Sequence, residues 1–152
     1  MQILSLDAMK ATLGKEIGLS DWFSIDQKRI NQFAHCTLDN HWCHVDVEAA
    51  KQGFFGKTIA QGGLIVSLLT HFHETFMAVP QGAVMGIYYG MNKLRHLSPV
   101  KVDSRIRDRI VLGDIQEKRG SRILTTAHHT VEIEDEKKPA CYAQTLTLFY
   151  LK

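Results

Sequence analysis

Apolar residues recur at helical spacing through the middle of the chain and at strand spacing through its second half. Between residues 63 and 77, Leu64, Ile65, Leu68, Leu69, Phe72 and Phe76 fall on one broad face, with Pro80 shortly beyond. A face that wide predicts a largely buried helix. Upstream, Ser24 and Gln27 have the spacing of a capping box, and Ile30, Phe33 and Ala34 follow at helical intervals, which predicts a helix over 25–36. Asp46 is placed to cap a short helix over 47–51 that Gly53 stops. From residue 83 the period changes. Segments 83–95, 102–116, 121–134 and 139–151 alternate or run rich in β-formers, punctuated by Lys-Arg-Gly-Ser and Glu-Asp-Glu-Lys-Lys-Pro. In the third segment Ile123, Thr125, Ala127, His129, Val131 and Ile133 share one face.

Helices followed by consecutive hairpin-connected strands argue for an α+β fold with an antiparallel sheet. The 152 residues, 45% apolar and 22% charged, are expected to form a single domain over 1–152. No apolar run reaches the length of a membrane span, and the opening MQILSLDAMK lacks the basic-then-apolar design of a secretory signal. Cys36, Cys43 and Cys141 make an odd count without disulfide-framework spacing, so reduced thiols and a cytoplasmic location are expected. The formal net charge is only +2 and is dispersed, which argues against a nucleic-acid partner. The densest basic strip interleaves Arg95, Lys101, Arg105, Arg107 and Arg109 with apolar residues. It reads either as a contact for a phosphate-bearing small ligand or as a solvated strand face.

The stretch FAHCTLDNHWCHVDVEAAKQGFFGKTIAQGGLIVSLL, residues 33–69, carries the candidate chemistry. Asp39 and His44 lie five apart in a segment unsuited to continuing a helix, and Gly62-Gly63 opens the apolar helix. A carboxylate and an imidazole facing a helix N-terminus can move protons on a substrate whose carbonyl is held by backbone amides. Each residue also has a structural alternative. Asp39 could form an Asx turn, and His44 could be a hydrogen-bonded core histidine. Ser67 could bond the carbonyl one turn back, and the glycines could be a simple turn. His35, His41, Cys43 and His44 invite a metal reading, but they lack the spacing of a structural zinc site. His71 and His73, two apart on a helix, point in different directions. Cys43 adjoins His44 in sequence, a poor geometry for a nucleophile and its base.

The chain resembles the MaoC-like dehydratases, and within them the NodN-like group. The resemblance is carried by Trp22 with Ile25-Asp26-Gln27, by FAHCTLDNHWCHVD, FFGKTIAQGG and VSLL, and by Tyr89-Gly90-Met91-Asn92-Lys93-Leu94-Arg95 with Ser98-Pro99-Val100 and Ser104-Arg105-Ile106-Arg107. It implies a hot-dog fold, an antiparallel sheet wrapped around a long central helix, and a homodimer whose sheets join edge to edge. The implied activity is that of an (R)-specific enoyl-CoA hydratase, a lyase interconverting 2-enoyl and 3-hydroxyacyl thioesters of CoA or a carrier protein. Asp39 and His44 match the acid and histidine of the hydratase motif. Asp39 would orient and activate water, and His44 would make the complementary proton transfer. Gly62 matches the glycine whose amide holds the thioester oxygen, and Gln61 and Ser67 fall on neighbouring substrate-binding positions. No cofactor is implied, because the thioester is its own electron sink.

Several positions depart from the family pattern. Leu38 stands where glycine usually precedes the aspartate, and His41 where Asn or Gln is common. Gln61 turns the familiar Ala-His-Gly into Ala-Gln-Gly. His96 replaces an aromatic residue, and Asp103 replaces a glycine. Two rivals stand beside this reading: a thioesterase on the same hot-dog fold, which would direct water at the thioester carbonyl, and a non-catalytic acyl-CoA or acyl-carrier-protein binding module, which Gln61 and Leu38 motivate.

Overall fold

The computed structural model describes residues 2–76 and 78–152. The strand-rich second half forms four long strands: β5 (Ala83–His96), β6 (Ser104–Lys118), β7 (Arg122–Ile133) and β8 (Cys141–Leu151). They are preceded by β1 (Gln2–Leu4), α1 (Leu6–Lys10), β2 (Glu16–Leu19), β3 (Phe23–Ile25), α2 (Gln27–Thr37), α3 (Trp42–Val45), α4 (Val47–Gln52), α5 (Gly62–Phe76) and β4 (Ala78–Pro80). The main sheet runs β2-β6-β7-β8-β5, and β3 also pairs with β6. Every pairing in that sheet is antiparallel. The short strands β1 and β4 form a separate parallel pair.

The alternation read from β7 has a physical cause, because each odd residue from Ile123 to Ile133 is buried and each even one between them is half exposed. The buried row packs with Leu64, Ile65, Leu69 and Phe72 of α5, so the sheet curls about the helix as a hot-dog fold. Helix α5 begins at Gly62, one residue before the expected start, and its expected last residue, Met77, lies outside the described residues. Asp46 caps α4 through a 2.9 Å bond from the Ala49 amide to Oδ1, and Gly53 ends it as expected.

The expected capping box at Ser24 is corrected by the structure. Residues Phe23–Ile25 are drawn into pairing with Ile106–Ser104 of β6, so the helix cannot start there. Asp26 is the cap instead, its Oδ1 accepting from the Arg29 amide at 2.8 Å. Gln27 is thereby freed for tertiary bonds. Its Nε2 donates to the His44 carbonyl at 2.8 Å and its Oε1 accepts from Thr58 Oγ1.

Candidate active site

Helix α2 delivers the chain to Asp39 through Leu38, which sits in the left-handed region at φ 62° and is 80% exposed. A helix commonly ends on a glycine in this conformation, because a Cβ there crowds the backbone. Leu38 thus adopts a geometry that glycine takes freely, at some cost.

Asp39 is half exposed, and its Oδ2 lies 3.9 Å from His44 Nε2. That distance is too long for a direct hydrogen bond. The imidazole is mostly buried and held from behind, with Nδ1 2.7 Å from the Ile59 carbonyl. A carbonyl only accepts, so Nδ1 carries the proton. In the neutral ring Nε2 is then a bare lone pair turned toward Asp39. The Ile59 carbonyl is itself fixed, since the Ile59 amide donates to Cys43 and the next residue, Ala60, donates to Val100.

A cleft of about 360 Å³ runs past His44 and is also lined by Gly62, Ile65, His96, Ser98 and Ala140. Gly62 opens α5, so its amide is among the first N–H groups of the helix, which have no partner within it. A Cβ on Gly62 would stand 2.8 Å from His96 Nε2, so only glycine lets that ring lie across the helix start. His96 is thus a cleft residue that the spacing analysis did not single out. Its one sequence signal is the replacement of an aromatic residue at the end of β5.

The structure places His44 and Gly62 on the cleft lining and Asp39 next to His44 but off the lining, and it leaves Gln61 and Ser67 off the lining as well. Gln61 is 2% exposed and turns beneath α2, its Nε2 donating to the Ile30 carbonyl at 3.3 Å while Oε1 has no partner. Ser67 is exposed and donates to the Gly63 carbonyl at 2.8 Å, one turn back. His41 stands beside Cys43, with Nδ1 3.1 Å from the sulfur. Burial, and then the charge of Asp39, push the Cys43 thiol up from its ordinary value, which keeps it protonated and a poor nucleophile. Among the described residues no group of three or more His, Cys, Asp or Glu side chains is placed to hold a metal ion.

The basic strip is committed to the sheet's outer face. Arg105 pairs with Glu134, Arg107 with Glu132, and Arg109 with both Glu16 and Glu132, while Trp22 lies under Arg107. Arg95 instead donates to the Leu94 carbonyl beside it. No helix among the described residues is long and apolar enough to cross a membrane.

An acid and an imidazole thus stand at the mouth of a cleft that ends on a helix start, within a hot-dog fold. Residues 8–134 match the MaoC-like domain, and the chain belongs to the MaoC-like dehydratase family. It is 41% identical over 149 residues to nodulation protein N of Rhizobium leguminosarum bv. viciae, covering 97% of this chain and 92% of that one. It is 37% identical over 145 residues to 3-hydroxyacyl-thioester dehydratase Z of Mycobacterium tuberculosis (strain CDC 1551 / Oshkosh), covering 95% of each. The fold is shared with a monoamine oxidase regulatory protein from Archaeoglobus, at TM-score 0.82 and 21% identity, covering 100% of this chain and 97% of that one.

Proposed function

We propose that this protein is a hydratase/dehydratase that interconverts 2-enoyl and 3-hydroxyacyl thioesters of CoA or a carrier protein, with Asp39 and His44 as its acid–base pair. The observation that carries this reading is the 2.7 Å contact of His44 Nδ1 with the Ile59 carbonyl, which leaves Nε2 turned toward the Asp39 carboxylate 3.9 Å away, as an acceptor in the neutral ring. Two acceptors at that separation suit one water between them, donating an O–H to each. The remaining lone pairs of such a water are free to attack. The family relationship to a 3-hydroxyacyl-thioester dehydratase supports the same reaction class.

The substrate's thioester oxygen takes the Gly62 amide, at the positive end of α5. Water adds to the β-carbon, and the double-bond electrons move through the α-carbon onto that oxygen. Reading from sequence alone assigns water activation to Asp39; the fixed tautomer shifts the first proton acceptance to His44. The imidazolium formed is stabilised by the neighbouring carboxylate and returns a proton to the α-carbon, while Asp39 holds the water's second hydrogen. The net change is H and OH across the double bond, and dehydration is the reverse.

The working unit in this reading is a homodimer. Strand β5 is a sheet edge, and Val84, Met85, Ile87, Tyr88 and Tyr89 along it are 37% to 60% exposed. An exposed apolar edge of that length is a pairing surface, and a second copy supplies a matching one.

The test is to follow crotonyl-CoA by its enoyl-thioester absorbance while titrating free thiol. Hydration removes the absorbance and releases no thiol. Thiol release would favour the thioesterase rival, and tight binding with neither change would favour the binding module.

A further inference from the structure

A second cavity, of about 330 Å³, lies between the later turns of α5 and strands β5 and β8. Its walls are mainly apolar, including Leu69, Phe149 and Met85, the last on the β5 edge that the homodimer proposed above would cover and so help to close; one side carries Thr145, Thr147 and His73. Behind Thr145 runs a buried relay. His129 Nε2 lies 2.8 Å from Thr145 Oγ1, and His129 Nδ1 lies 2.6 Å from Asp108 Oδ2. Asp108 and His129 are both fully buried, Thr145 is 4% exposed, and Asp108 Oδ1 has no partner. Thr147 Oγ1 stands 3.2 Å from His73 Nε2, and the rings of His73 and His129 are 5.9 Å apart.

Burying such a set beneath a sheet is costly compared with packing apolar side chains of the same volume. A network that served the core alone would end on protein, but this one ends on a cavity wall. Acid, imidazole and hydroxyl in line resemble a nucleophile and its base. Thr145, however, sits mid-strand between Ala127 of β7 and Met91 of β5, where the backbone amides belong to the sheet ladder. No oxyanion site can form there, so the arrangement fits recognition rather than acyl transfer.

We propose that this cavity receives an acyl chain bearing a hydroxyl group, and that Thr145 and Thr147 recognise that hydroxyl. The proposal rests on the acyl-thioester reading above. Helix α5 links the two places, with Gly62 and Ile65 on the catalytic cleft and Leu69 and His73 on this cavity. From Gly62 to His73 the helix advances roughly 16 Å, the reach of a medium-length chain.

The relay selects a hydroxyl over other groups. With Asp108 ionised, His129 donates to it from Nδ1 and accepts from the Thr145 hydroxyl at Nε2, so Thr145 Oγ1 faces the cavity as an acceptor. With the proton on Asp108, each donor and acceptor reverses and Thr145 faces the cavity as a donor. Burial raises the Asp108 carboxyl above its ordinary range, which brings the second state within reach. A hydroxyl answers both states, whereas a carboxylate answers one and meets Glu74 on the cavity lining. A plain alkyl chain answers neither and leaves the two threonines without a partner from the ligand.

The test compares kcat/KM for a medium-chain 2-enoyl-CoA with that for its ω-hydroxy counterpart of equal length. The hydroxylated chain should be preferred by about tenfold or more, the scale set by a site built to hydrogen-bond a substrate hydroxyl. In Thr145→Val the ratio should fall to about one, and Thr145→Ser should keep it; Thr147→Val serves if Thr145→Val does not fold. A wild-type ratio near one, or one unmoved in the valine variants, overturns the proposal. If neither chain is hydrated, the hydratase reading fails, and equilibrium dialysis of the two saturated acyl-CoAs tests the cavity alone. The same preference in Kd sustains the cavity proposal, and equal Kd values overturn it.

Discussion

The molecule holds two pairs of aspartate and histidine, and they are built in opposite ways. Asp108 and His129 are fully buried, with Oδ2 and Nδ1 2.6 Å apart and in direct hydrogen-bond contact. Asp39 and His44 are 3.9 Å apart, with the carboxylate half exposed and the imidazole tied from behind to a carbonyl. A closed pair holds a proton between its own atoms, and here it passes its remaining bond to Thr145 at a cavity wall. An open pair keeps two acceptors turned toward one small gap, where they can take and return a proton on something else. Proximity of acid and histidine is therefore not by itself a sign of catalysis; the informative features are the separation and what holds the far ring nitrogen.

The contrast breaks most sharply at the closed pair. His129→Leu should cost about 3–5 kcal/mol, because it strands a buried carboxylate with no partner. Urea denaturation reads this directly, and a loss below about 1 kcal/mol would mean the pair is not structural. A related effect belongs to His73, whose pKa burial lowers to about 4, with a smaller contribution from His129. Its folded value lies below its unfolded one, so the unfolded chain binds the proton more readily. Stability from this group is full above about pH 6.5 and drains as pH falls toward about 4, on the order of 3 kcal/mol in all. Asp108, raised by burial, acts in the opposite sense, so the comparison must be made against His73→Gln, whose acid limb should be shallower.

At the open pair the readout changes from stability to rate. His44→Ala should lower hydration by about a hundredfold or more, the range for a positioned acid or base, with little change in the urea midpoint. The smallest effect concerns the turn that presents Asp39. Leu38→Gly relieves a left-handed leucine and should raise stability by up to about 1 kcal/mol, seen as a higher midpoint at unchanged slope.

Long periodic elements were legible from sequence. Helix α5 and strand β7 each carry a full apolar face, and burial alone then dictates how they pack. Strands β1 to β4 and helix α1 are too short to show a period, and long-range pairing with partners such as β6 is what makes β2 and β3 strands. The Ser24 cap failed for that reason, since strand pairing outweighed a local hydrogen-bond option. At the candidate site, the placing of His44 and Gly62 on one cleft with Asp39 beside His44 was legible because all three lie within one continuous stretch. Gln27, which binds the His44 carbonyl from seventeen residues away, and His96, which reaches Gly62 from another strand, were not. His129 fell on the buried face of β7 from its spacing, but its partners Asp108 and Thr145 lie on two other strands and only the fold joins them.

The most direct test of the open pair is the hydration rate of crotonyl-CoA by Asp39→Asn beside the wild type, at equal folded concentration. The account predicts a loss of about a hundredfold or more with the urea midpoint retained, because the amide cannot hold the attacking water as a carboxylate does. A folded Asp39→Asn protein working at the wild-type rate would contradict it.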